Sequence, residues 1–169
     1  MYSLLARRTD EAAMKAVRSI VTLTALLCAI QCSAADSTDP ANPTPSPAQA
    51  QRAYESLRSV NLFSIGGTGI AGDISEGELA YRTLLASPNG LDLFRHALAT
   101  GSNEAKLYAL CGIRRLDQRA FDSASKALVT ANPNVATMVG CMINEEDKAA
   151  TVIKRMVDGS YGCTASGGR

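Results

Sequence analysis

Little in this chain can hold a metal or drive acid–base chemistry. It has one histidine, His96, in 169 residues, and no Cys-x-x-Cys, so the several Cys or His ligands of a zinc site are not there. No G-x-S-x-G nucleophile turn occurs, nor a Ser-x-x-Lys with its supporting set. Positive charge is also scarce. From Asp36 onward 13 Lys and Arg face 14 Asp and Glu, a balance that excludes a surface built to neutralise phosphates. The two basic doublets of that region, Arg114-Arg115 and Lys154-Arg155, read as solvated helix faces. Convincing alternating apolar–polar strands are missing, and so is an apolar run of about 20 residues able to span a bilayer. The composition points to no metal, no cofactor and no nucleic-acid partner.

What is present begins with a leader. Lys15 and Arg18 form a positive region, Ile20 to Ile30 an apolar one, and Ser33-Ala34-Ala35 a small-residue cleavage site, the layout of a secretory signal peptide over residues 1–35. Asp10 and Glu11 do not belong in such a leader, so translation is expected to start at Met14. Residues 29–31, "AIQ" ahead of Cys32, lack the Leu and the small residue of a lipid-modified cysteine. The expected location is periplasmic or secreted, with no membrane span in the mature form. Residues 36–46, "DSTDPANPTPS", hold no large apolar side chain and read as a disordered Pro-rich linker.

From Ser46 the pattern is helix after helix, which makes the domain over 47–158 all-α. Ser46-Pro47-x-Gln49 is a capping box with proline in the first turn, and Ala50, Ala53, Tyr54 and Leu57 form the first apolar stripe. Ser75-x-x-Glu78 opens a helix carrying Ala80, Tyr81, Leu84 and Leu85. Leu91, Phe94 and Leu98 mark the next, ended by Gly101. Residues 107–113 are apolar nearly all round, which places that helix at the centre. Asp117 caps a helix with Phe121, Ala124 and Leu128 inward. Pro133 is expected to open another through "NVATMVGCMI", and Asn144 with Glu145, Glu146 and Asp147 the last, carrying Val152, Ile153, Met156 and Val157. The tail, 159–169, should fray.

A faint echo runs through this region. "HALAT" at His96–Thr100 aligns with "KALVT" at Lys126–Thr130, and the same offset of 30 places Cys111 on Cys141 and Ile113 on Ile143. Thirty residues suit one helix–turn–helix unit, and the stretch from about Leu91 to Ile143 resembles a pair of HEAT-like repeats. The resemblance implies a short helical stack; a compact bundle of six to seven helices is the alternative. Three cysteines remain after the leader, and in an oxidising compartment two should pair. Equivalent places in stacked units favour Cys111 with Cys141, leaving Cys163 in the tail.

The run "GTGIAG", Gly67 to Gly72, matches the dinucleotide fingerprint letter for letter, but three residues intervene before the helix and Asp92 lies on a helix rather than at a strand end. It is expected to be a packing loop, with Leu62, Phe63, Ile65 and Ile70 tucked under the helices. Its glycines Gly66, Gly67, Gly69 and Gly72 form a possible interaction edge. His96 points off its apolar stripe. The acids Glu76 and Glu78, and Glu145, Glu146 and Asp147, sit at expected helix starts, where acids are common for dipole reasons. With no catalytic residue identified, the sequence supports a non-enzymatic exported protein acting through an unknown protein partner, as scaffold or inhibitor. A second possibility is an apolar-ligand carrier lined by Met138, Met142, Met156, Leu107 and Tyr108. A hydrolase built on a carboxylate pair ranks third.

Overall fold

The computed structural model describes residues 43–69 and 71–164. The expected signal peptide, most of the linker and Ile70 lie outside the described residues. Among the described residues six helices and one β-hairpin follow one another: α1 Pro47–Arg58, α2 Glu76–Ala86, α3 Gly90–Thr100, α4 Asn103–Leu116, α5 Gln118–Ala131, β1 Asn134–Val139, β2 Met142–Lys148 and α6 Ala149–Val157.

Helix starts follow the side chains that can accept from orphan N–H groups. Ser46 accepts from the Gln49 N–H while the Gln49 side chain accepts from the Ser46 N–H at 2.7 Å, the full capping box. Ser75, Ser102 and Asp117 cap α2, α4 and α5 in the same manner, accepting from Glu78, Ala105 and Ala120. Asn132 serves two helices. Its backbone takes a left-handed φ of 41° to end α5, and its side-chain oxygen accepts from the Ala150 N–H at 3.1 Å to begin α6.

Helix α4 is the centre. All of Leu107–Arg114 is buried, and α4 packs against the five other helices and against β1. Around it the core gathers Leu57, Phe63, Leu84, Phe94, Phe121, Val152 and Met156. Arg114 was expected on a solvated face. It is instead buried against the end of α6, where its guanidinium donates to the carbonyls of Met156 and of Val157, the latter at 3.1 Å, and lies 5.3 Å over the Phe121 ring. A cation there satisfies terminal carbonyls and the negative end of the helix dipole, so burial costs it little.

The fold is mostly helical but not purely so. The helix expected to start at Pro133 is β1, and the stretch expected to begin the last helix at Asn144 is β2, so α6 starts only at Ala149. The two strands are antiparallel with Val139 opposite Met142, Met138 opposite Ile143 and Thr137 opposite Asn144. Gly140 and Cys141 form the two-residue loop, with Gly140 at φ 59°, the first position of a type II′ turn. A helix through this point would hold glycine at a cost of roughly 1 kcal/mol, while the hairpin uses its positive φ. Asp147, expected at a helix start, turns inward instead. It is 6% exposed, pairs with Arg155 at 2.6 Å and accepts from Thr137 Oγ1 at 3.2 Å.

The expected Cys111–Cys141 bridge is replaced by Cys111–Cys163, with Cα atoms 5.1 Å apart. Cys141 is exposed in the hairpin loop, so the two cysteines do not hold equivalent places on stacked helices. Of the echo, His96–Thr100 and Lys126–Thr130 both lie on the last turns of helices, α3 and α5, but the helical register stops at Ala131. The tail expected to fray is held through residue 163. Tyr161 and Cys163 are buried, and the Tyr161 ring meets Phe63 at 5.1 Å.

Candidate protein-contact surface

The glycine loop and the hairpin, separate in sequence, form one structure. Phe63 is fully buried, edge-on to Tyr108 with ring centroids 4.8 Å apart. The next residue is fixed at both polar backbone atoms by one side chain. The Tyr108 hydroxyl donates to the Ser64 carbonyl at 2.6 Å and accepts from the Ser64 N–H at 2.9 Å. Phe63 also borders β1 in parallel: its N–H donates to the Ala136 carbonyl at 2.9 Å and its carbonyl accepts from Met138 at 3.0 Å. From the central helix, then, the chain enters the loop with its position and direction set.

The loop itself closes on its own backbone. Gly66, Gly69 and Gly72 hold φ of 102°, 70° and 69°, values that side chains with a Cβ rarely adopt. Gly67 lies so close to Gly72 that a Cβ would sit 3.0 Å from the Gly72 carbonyl. Four of the loop's N–H groups, which a phosphate would draw on, are already engaged. Gly66 donates to Glu78 Oε2, Thr68 to the Asp73 carbonyl, Gly69 to the Gly140 carbonyl and Gly72 to the Gly69 carbonyl. Glu78 is almost wholly buried and also receives Arg82 at 2.7 Å. The second half of the expected Ser75–Glu78 capping box is therefore used to hold the loop. Of the four glycines named as a possible edge, Gly69 is the one bonded directly to the hairpin turn.

Beyond this brace the hairpin overhangs the core. On β1 and β2 the side chains of Val135, Thr137 and Asp147 are buried, but farther along Val139, Met142 and Ile143 are 62%, 79% and 59% exposed. Five successive residues of β2, Met142 to Glu146, are exposed. Other exposed large apolar residues, such as Leu79, Leu116 and Val157, are spread over different helices. Val139 and Met142 pair on one face of the tip and Ile143 lies on the other, so a turn tied down from two sides exposes apolar side chains on both faces, which makes it the candidate contact surface.

The remaining candidates are not brought together. Leu107, Tyr108 and Met156 are fully buried, Met138 is half-buried and Met142 is exposed, so the five carrier residues do not line one cavity. A groove of about 910 Å³ lies instead between α1 and α2 beside Pro43, Pro45, Arg52, Leu79 and Arg82. Glu76 accepts from Ser56 Oγ at 2.9 Å, Glu78 and Asp147 are held as described, and Glu145 and Glu146 are in solvent. His96 is exposed, edge-on to Tyr54 at 6.1 Å. Among the described residues, no group of three or more His, Cys, Asp or Glu side chains could hold a metal ion, and no helix is long and apolar enough to cross a membrane.

Sequence reasoning named the glycine loop but missed the hairpin that completes the surface. The missed signal was Val135, Thr137 and Val139 alternating up to Gly-Cys, a β-branched run meeting a Gly-x turn. No family model, curated protein or solved structure matches the chain.

Proposed function

We propose that this chain is an exported, non-enzymatic protein that acts by protein contact through the hairpin tip. The observation that supports this reading is the exposure of Val139, Met142 and Ile143 on a turn whose backbone is bonded to the glycine loop through Gly69 and Gly140. Rigid apolar surface costs little conformational entropy to bury against a partner. Export is supported by the leader-like residues 14–35 and by the Cys111–Cys163 bridge, since such bonds persist in oxidising compartments.

A photo-cross-linking residue at Met142 tests the reading, with one at Ser123 on the exposed side of α5 as control, each exposed to envelope extract of the producing cell. The expected result is a discrete adduct from position 142 that disappears when Val139 and Ile143 are both changed to Ser. Equal adducts from both positions, or adducts from α5 alone, would refute it. Intact mass of exported material should begin at Asp36 or Ala35.

A further inference from the structure

The partner's chemistry can be narrowed from the edge of β2, on the premise that the hairpin tip is the contact surface. Antiparallel pairs alternate between those that exchange both hydrogen bonds and those that exchange none. A two-residue loop makes Val139 and Met142 an exchanging pair, so Met138 and Ile143 turn their N–H and C=O outward. On the β1 side that outward N–H is taken, since Met138 donates to the Phe63 carbonyl at 3.0 Å. On the β2 side, no described residue receives the Ile143 N–H or donates to its carbonyl. The hairpin therefore has one covered edge and one open edge.

Two features decide what the open edge accepts. Between the Thr137–Asn144 and Val135–Asp147 pairs, β2 holds Glu145 and Glu146 against the single Ala136, a bulge. Neither glutamate is in an ion pair among the described residues, and both are exposed. A bulge and like charges keep an edge from pairing with its own copy: two β2 edges in parallel would set glutamate beside glutamate, and the bulge cuts short an antiparallel pair centred on Ile143. The same charges attract lysine and arginine. Met142 and Ile143, on opposite faces of the strand, offer apolar contact on either side of an added chain.

We propose that β2 receives an extended, cationic segment of another protein, which adds one short strand to the hairpin at Ile143 and sets its basic side chains beside Glu145 and Glu146. This is strand addition, in which main-chain bonds supply affinity and flanking side chains supply selectivity. The bulge limits the ladder to a few residues, so charge carries much of the preference.

The test uses the full chain and two seven-residue peptides, one alternating lysine with valine and one alternating glutamate with valine, measured by calorimetry at low and at 0.5 M salt. The lysine peptide should bind and the glutamate peptide should not, with the affinity lost at high salt. Ile143→Pro should abolish binding while leaving the melting temperature close to that of the parent, because the N–H it removes faces solvent. A lysine peptide N-methylated on alternate residues should fail in the same way with the protein unaltered. Glu145→Lys with Glu146→Lys should weaken the lysine peptide about tenfold and admit the glutamate peptide, the size expected for losing and reversing two exposed pairs. The inference is overturned if the lysine peptide does not bind, if the N-methylated peptide binds equally, or if sedimentation shows a dimer that Ile143→Pro dissolves, which would make a second copy the occupant. A cross-link from Met142 together with peptide failure would overturn this inference and leave the contact surface standing.

Discussion

Breaking the Cys111–Cys163 bridge should destabilise the protein without dissolving its fold. The bridge joins residues 52 apart in sequence. In the chain-entropy model a closed loop of that length stabilises by about 4 kcal/mol at 25 °C, by restricting the unfolded chain. A domain of this size has a total stability of roughly 6–18 kcal/mol, so the loss is large but survivable. Cys111 and Cys163 are two members of a much larger core, whose aromatic contacts, Phe63 on Tyr108 of α4 and Phe94 on Tyr81, do not involve the sulfurs. The double variant Cys111→Ala, Cys163→Ala, followed by urea unfolding and calorimetry, should keep its helical circular dichroism at 25 °C and melt roughly 10 °C or more lower. Its m value should rise, because an uncrosslinked chain exposes more surface when it unfolds. Hydrogen exchange should locate the native-state change at residues 161–163, which lose their tether but keep the Tyr161–Phe63 contact. A stability loss below about 1 kcal/mol, or a full loss with an unchanged m value, would refute the entropic reasoning. Peptide mapping that joins Cys141 to either partner would refute the bridge itself.

Tyr108→Phe should cost about 1–3 kcal/mol in urea unfolding, because the Ser64 N–H and carbonyl lose their shared partner inside the core. Exchange protection should fall along the glycine loop more than in α5. Gly112→Ala should cost a similar 1–3 kcal/mol, read as a lower melting temperature, because the new Cβ would sit 2.4 Å from the buried Phe94 ring where α3 meets α4. Burial raises the Tyr81 phenol above its usual range, against a smaller opposing effect of Arg115. A raised folded-state value means the folded protein holds the proton longer than the unfolded chain. The contribution is therefore complete below about pH 10, the ordinary tyrosine value, and is lost as pH climbs above it. Wild type should lose stability more steeply than Tyr81→Phe between pH 9.5 and 11; parallel profiles would refute this.

Local signals made most of the helical frame legible. Ser46, Ser75 and Asp117 each cap a helix within a residue of the position read from sequence, because a cap is a contact among neighbours. Helix α4 announced its central place by being apolar nearly all round from Leu107 to Ile113. The hairpin was misread because its apolar residues satisfy two periods at once. Val135, Met138, Val139, Met142 and Ile143 fall at i, i+3, i+4, i+7 and i+8, a helical stripe, while Val135, Thr137 and Val139 alternate as a strand. Gly140 decides between them, and the deciding contact is distant: Phe63 supplies a neighbouring backbone for β1, which no local pattern records. The same holds for the candidate surface. Its glycines were visible as a loop, but the partner of Gly69, the Gly140 carbonyl, lies 71 residues on.

The misassigned bridge shows how weak a constraint sequence distance is. Closing 30 residues, as Cys111–Cys141 would, rather than 52 saves only roughly 0.5 kcal/mol of loop entropy. Against that stands what the longer closure buries. Cys163 is fully buried, and Tyr161 is 6% exposed with its ring against Phe63. Covering those two side chains is worth several times the entropy difference at about 25 cal/mol per Å². Pairing Cys141 instead would require the hairpin loop to leave its bond with Gly69, pull β1 from its bonds with Phe63 and turn toward α4. Burial of the tail and bracing of the hairpin thus select the same bridge, and they leave Cys141 at the exposed tip, between Val139 and Met142.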